Sequence, residues 1–177
     1  MVTEIPKEWK GAIATEEEID YCLFDLTASA HTGSETLTFF NHTRSGSGLA
    51  VTNMELAGQL PATQRFLLKS IQLLIDVNAA VGDAADEMDA AVAELSINNK
   101  LVYSIPAILL ATTVTPAVTT TATLGPAMNM VPFELDKGIV IQGGVPFKVT
   151  LLNGKTASSA NTDHTFILRG RLVRSAA

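Results

Sequence analysis

The side chains that could do chemistry in this sequence are three histidines, a single cysteine and one serine-glycine run. His31, His42 and His164 lie far apart, and no two of them have the spacing of metal ligands, so we predict three surface histidines. Cys22 falls in an alternating apolar segment, which predicts a small buried side chain and not a nucleophile. Because it is the only cysteine, no internal disulfide can form.

The serine-glycine run, residues 45–48, does not match a known catalytic turn. It lacks the Gly-x-Ser-x-Gly pattern of a nucleophile elbow and the lysine of a phosphate-binding loop. The sequence therefore nominates no catalytic residue, no metal ligand and no cofactor. We expect a protein that is not an enzyme.

Charged residues form one acidic and one basic cluster. The acids in residues 83–89 lack the glycine and the terminal glutamate of a calcium loop, and they suit the first turn of a helix. Arg169, Arg171 and Arg174 form the densest basic cluster. Such a row on a strand is either solvated and paired with acids, or it contacts another subunit. The second interpretation makes the three arginines interface residues.

The composition favours a chain that buries surface against other molecules. Hydrophobic residues make up 47% and charged residues 17%, with a mean hydropathy of +0.27. The net charge of −6, from 12 basic and 18 acidic residues, argues against direct binding of nucleic acid, which needs a concentrated positive surface. We expect no transmembrane segment, because no apolar run reaches about 18 residues, and the N-terminus has no apolar core of signal-peptide length.

The elements that would position these side chains are mostly strands. In "GIVIQGGVPFKVTLLNG", residues 138–154, Val145, Phe147, Val149 and Leu151 alternate with polar residues, which predicts a strand buried on one face. The Gly-Gly pair before this strand can take positive φ, so the stretch is predicted as strand, turn, strand, turn.

The period of the apolar residues changes once. Ile71, Leu73 and Ile75 share one face of a strand, whereas Met88 and Leu95 recur with helical spacing. We therefore predict one inserted α-helix at about residues 84–95.

Together these elements predict an all-β fold, an antiparallel two-sheet β-sandwich of jelly-roll type with that single helix. Residues 1–14 form an N-terminal arm, and residues 15–177 form one sandwich domain. Trp9 lies on the arm, which is too short and interrupted to build its own core. We predict that Trp9 contributes to a subunit interface, and the alternative is that residues 1–14 fold back on their own sandwich.

The chain resembles the single jelly-roll capsid proteins of tailless icosahedral bacteriophages with an internal membrane. The resemblance covers roughly residues 56–175 and lies in size, strand order and the inserted helix, along "LAGQLPATQRFLLKSIQLLIDV", "PFELDKGIVIQGGVPFKVTLL" and "TFILRGRLVRS". It implies a self-assembling structural protein of the virion, a small major capsid subunit assembled in the host cytoplasm. Its partners would be copies of itself, other capsid proteins and an underlying viral membrane.

Two alternatives to a capsid subunit stay open. The chain could be a non-catalytic ligand-binding or carbohydrate-binding sandwich, although a carbohydrate module usually carries several aromatic residues and only 6% of this chain is aromatic. It could also be an accessory protein of a virion, in a decoration or tail role.

Overall fold

The computed structural model describes residues 16–29, 35–48, 51–76, 90–114, 132–153 and 162–175. The predicted arm, residues 1–14, lies outside these ranges. Within them, the α-helix α1 (Arg44–Ser47) begins after its N-cap Thr43, and a 3-10 turn covers Ala107–Leu109. The strands are β1 (Glu16–Ser29), β2 (Glu35–Phe39), β3 (Gln64–Asp76), β4 (Ala91–Ile97), β5 (Lys100–Pro106), β6 (Ala111–Val114), β7 (Phe133–Gln142), β8 (Phe147–Asn153) and β9 (Thr162–Ser175).

The strands form two sheets with a nested order of pairing. The first sheet has the order β1-β9-β3, and β3 pairs further with β7 and, in parallel, with β6. The second has the order β2-β8-β4-β5. Apart from β6, the pairs run inward from both ends of the chain: β1 with β9, β2 with β8, β3 with β7 and β4 with β5, all antiparallel. This is the connectivity of a jelly roll, so the predicted all-β sandwich is confirmed.

The core between the sheets is filled from alternate positions of each strand. In β8, Phe147, Val149 and Leu151 are buried, as the alternation predicted. The ring of Phe39 in β2 lies 5.2 Å from that of Phe166 in β9 and joins the two sheets. Each large side chain buried in this way stabilises the fold by roughly 1.5–3 kcal/mol.

A β-bulge at Lys69 sets the phase of the apolar residues in β3. Phe66 and Leu68 enter the core before the bulge, and Ile71 and Leu73 enter it afterwards. The pairing register with β9 shifts at the same place. The extra residue lets apolar side chains of opposite sequence parity reach one core.

Gly170 in β9 lies across from this bulge, where the two backbones approach closely. It pairs with Leu68, and a Cβ at position 170 would lie 1.9 Å from the carbonyl oxygen of Leu67. No side chain fits in this space. Glycine is therefore part of the bulge geometry.

The Gly143-Gly144 pair connects the two sheets, because it joins β7 in the first sheet to β8 in the second. Gly144 has φ 73°, and a Cβ on Gly143 would lie 2.2 Å from the carbonyl oxygen of Pro61. The predicted order of strand, turn and strand is confirmed.

The predicted helix over residues 84–95 is not confirmed. Its first half lies outside the described residues, and residues 91–95 belong to β4, which pairs with β5 on one side and β8 on the other. The spacing of Met88 and Leu95 fits a helix, but the buried residues of β4 recur with the period of two of a strand. The large apolar residues alone do not show this period, because small alanines fill two of the core positions. The buried residues at that period are Ala91, Ala93 and Leu95.

Candidate functional site

Two of the three predicted interface arginines form ion pairs between β9 and β1. Arg174 Nε lies 2.9 Å from Glu17 Oε2, and Arg171 Nη1 lies 2.7 Å from Glu18 Oε1. The hydrogen bond and the negative charge of Glu18 raise the pKa of Arg171 above its usual value. These arginines therefore connect the first and last described strands of the same chain.

The three arginines do not share one face of β9. Leu172 points into the core, whereas Val173 packs with Leu67 on the outer face of the sheet. By strand alternation, Arg174 follows the phase of Leu172, and Arg169 and Arg171 follow that of Val173. Arg169 Nη2 donates to Gln72 Oε1 at 2.9 Å on that outer face. The structure thus brings Arg169 and Arg171 together and separates them from Arg174.

These contacts predict a small effect on stability for Arg171→Gln. Surface ion pairs contribute about 0–1 kcal/mol, so the free energy of unfolding in urea should fall by less than about 1 kcal/mol. Arg174→Gln is the matched control, since Arg174 forms a similar ion pair on the other face. If Arg171 contacts another subunit, its variant should also shift the oligomer distribution in light scattering. A loss of stability above about 2 kcal/mol would contradict the surface role.

Trp9 lies outside the described residues, so its place in an interface stays a prediction.

A buried carboxylate, which the sequence did not indicate, holds the chain just after β2. Asp25 of β1 is fully buried and accepts a hydrogen bond from the backbone N–H of Phe40. Its Oδ2 lies 3.2 Å from Nδ1 of His42. Phe40 has φ 68°, and its carbonyl accepts from the N–H of Gly58 at 2.6 Å. Asp25 therefore fixes a backbone conformation that bulky residues rarely adopt.

The contact between Asp25 and His42 has the form of the acid–imidazole pair that orients a general base in hydrolases. Such a base also needs a hydroxyl or thiol on its second ring nitrogen. Among the described residues, no contact of that kind is made by His42. The contacts that are present explain how Asp25 positions the backbone after β2, and they outline no catalytic centre.

Two other candidate side chains lie where the sequence did not place them. His164 was predicted on the surface, but it is buried, because β9 points it inward in phase with Phe166 and Leu168. Cys22 was predicted as buried, but it is exposed, because β1 turns Leu23 inward and Cys22 outward. His31 lies outside the described residues.

A cleft of about 400 Å³ opens beside β2 and the loop that contains Gly58. The two rings in its wall, those of Phe40 and Phe147, are buried, and within the described ranges every aromatic side chain is buried or half-buried. A sugar would find no open ring there on which to stack. The polar lining consists of amide, hydroxyl and ammonium groups from Thr38, Asn41, Gln59, Ser96, Asn99 and Lys148.

The edge of the second sheet at β5 carries exposed apolar side chains. Leu101 and Val102 on the strand, and Ile108 and Leu109 in the following 3-10 turn, are each between 42% and 57% exposed. Within the described ranges, β5 pairs with β4 on one side and with no strand on the other. We call β5 together with the 3-10 turn the β5 edge. An exposed, apolar strand edge of this kind is a site for pairing with another chain.

The opposite side of the sandwich is closed by hydrogen bonds. The N–H of Leu26 in β1 donates to the carbonyl of Val51 at 2.8 Å, and the Asn53 side chain donates to the carbonyl of Cys22 at 2.7 Å. The hydroxyl of Thr27 donates to a carbonyl of β2 at 3.2 Å. Within the described ranges, these contacts occupy part of the β1 and β2 edges, whereas no such contact is made along the free side of β5.

In the described part of the chain, no group of three or more His, Cys, Asp or Glu side chains is close enough to hold a metal ion. Nor does any described helix have the length and apolar character needed to cross a membrane. Comparison of the chain with protein-family models, with curated proteins and with solved structures gives no match.

Proposed function

We propose that this protein is a structural subunit that assembles with copies of itself, and that it serves as a small single jelly-roll capsid protein of a virion. The β5 edge is the observation that carries this proposal. Among the described residues, it combines a strand edge that has no neighbouring strand with four large apolar side chains, whereas hydrogen bonds hold part of the β1 and β2 edges.

The jelly-roll connectivity supports the capsid role over other structural roles. Viral capsid domains are among the proteins that use this fold, together with lectin domains and cupins. A fold alone does not fix a function, so the surface side chains must also suit the role. The cleft beside Gly58 offers no exposed ring for a lectin-like contact, and the apolar β5 edge suits contacts between subunits.

The ion pairs of β9 are compatible with this role. Arg171 and Arg174 neutralise acids of β1 within one subunit. A neighbouring subunit would then meet paired charges, which cost less to bury than isolated ones. Nucleic acid would meet no concentrated positive surface there, in line with the net charge of −6.

The double variant Ile108→Ser and Leu109→Ser tests the proposal. Both side chains are about half exposed, so their burial between subunits should contribute roughly 1 kcal/mol each, and the variant should weaken association by roughly 30-fold. The measurements are light scattering across a concentration series and negative-stain electron microscopy. Leu56→Ser is the matched control, because Leu56 is 41% exposed and lies outside the β5 edge.

A chain that starts at Thr15 forms the second arm of this test. Large uniform particles from the full chain that disappear on trimming would assign an assembly role to residues 1–14, including Trp9. A monomer at all concentrations, with and without the substitutions, would contradict assembly by this chain.

A further inference from the structure

We propose that the β5 strands of two copies pair antiparallel about a two-fold axis, so that two four-stranded sheets become one continuous sheet. This inference rests on the proposed function and adds the identity of the partner and the geometry of the contact.

The backbone of β5 provides the pairing groups. The strand is seven residues long, and its described partner is β4, on one side only. In an antiparallel ladder, alternate residues direct both N–H and C=O to the same neighbour. The register with β4 shifts at Val102, so on each side of this bulge the residues between the bonded ones direct their groups away from β4. A strand added on that side would satisfy these groups along the length of β5.

The charge of β5 favours an antiparallel over a parallel arrangement of two copies. Lys100, the first residue, is the one ionisable group among Lys100–Pro106 that carries charge at neutral pH. Two antiparallel copies place their Lys100 side chains at opposite ends of the paired strands, roughly 20 Å apart at 3.4 Å per residue. A parallel, in-register pair would place them side by side, which is unfavourable.

The apolar side chains are arranged in a self-complementary way. Leu101 and Val102 lie near the start of β5, and Ile108 and Leu109 lie just beyond its end. Antiparallel pairing places the start of one β5 beside the end of β5 in the other copy, so each Leu101–Val102 pair lies near the 3-10 turn of the other copy. In a two-fold contact of this kind, the same β5 edge of each copy is buried, so no further copy can add there and the contact forms a dimer.

The native full chain tests the inference by amide hydrogen exchange followed at single residues over a concentration series. Edge pairing predicts that the amides of residues 100–105 that point away from β4 become at least tenfold slower to exchange as the concentration rises, and that the smallest oligomer is a dimer. Oligomers whose β5 amides exchange at one rate at all concentrations would overturn edge pairing and leave the proposed function standing. A chain that stays monomeric throughout would overturn both.

The variant Val102→Lys gives an independent readout, with Val102→Thr as its shape-matched control. A charge on an exposed strand edge opposes pairing, so Val102→Lys should weaken dimerisation at least tenfold and abolish the protection, while Val102→Thr keeps it. Equal dimerisation of both variants would contradict the inference. Protection that disappears in a chain starting at Thr15 would assign the edge to residues 1–14 of a neighbouring copy, and would also overturn it.

Discussion

Replacing Gly170 by alanine is expected to unfold the sandwich, or to lower its free energy of unfolding by more than about 3 kcal/mol. A Cβ at position 170 would lie 1.9 Å from the carbonyl oxygen of Leu67, which belongs to the backbone of β3 and cannot rotate away. The clash falls at the bulge, where β3 pairs with both β9 and β7. To relieve it, β9 would have to separate from β3.

Gly138→Ala is the matched control for this prediction. A Cβ at position 138 would lie 2.7 Å from Cδ1 of Leu67, the far end of a side chain that can change its rotamer. Its effect on urea unfolding, followed by circular dichroism, should be several-fold smaller than that of Gly170→Ala. Equal stabilities of the two variants would show that the backbones of β3 and β9 do not approach closely at Gly170.

Asp25→Ala is expected to lower the free energy of unfolding by about 2–4 kcal/mol. Removing a buried carboxylate leaves the Phe40 N–H without an acceptor, and an unsatisfied buried donor costs about 1–3 kcal/mol. The variant also removes the partner of His42 and the group that stabilises the positive φ of Phe40. Both effects act on the chain immediately after β2.

Asp25→Asn separates the charge from the shape of this contact. The amide oxygen can still accept from the Phe40 N–H, so this variant should lose less stability than Asp25→Ala. Asp136→Ala, at an exposed position of β7, is the control and should change the free energy of unfolding by less than about 0.5 kcal/mol. A loss below about 1 kcal/mol for Asp25→Ala would contradict a supporting role for the buried carboxylate.

The sandwich was predictable where large apolar residues alternate. In β8 and in the second half of β3, every second residue is a large apolar side chain, and these strands lie where the pattern indicates. In β4 small alanines take the core positions, and the helical spacing around them competes with the strand pattern. The bulge at Lys69 adds one residue, so a single phase does not fit the whole of β3.

The candidate site was less predictable, because it depends on which strands become neighbours. The alternation of a strand does not reveal whether it lies at an edge, so the exposure of Leu101 and Val102 on β5 has no local signal. Asp25 has the sequence character of a solvent-facing residue, and its backbone partner, the N–H of Phe40, lies just after β2. The acids paired with Arg171 and Arg174 lie near the other end of the described chain. Register over that distance is decided by the whole sheet.

The nested pairing also determines when the protein can fold during its synthesis. β9 lies between β1 and β3, and Glu18 and Arg171, which it brings together, are 153 residues apart in the chain. Closing loops of that size slows folding. While the ribosome adds the residues between β3 and β9, β1 and β3 both lack β9, the strand that pairs with each of them. Unpaired strands of this kind are prone to aggregation. We therefore expect this chain to be most vulnerable to aggregation during that interval of translation.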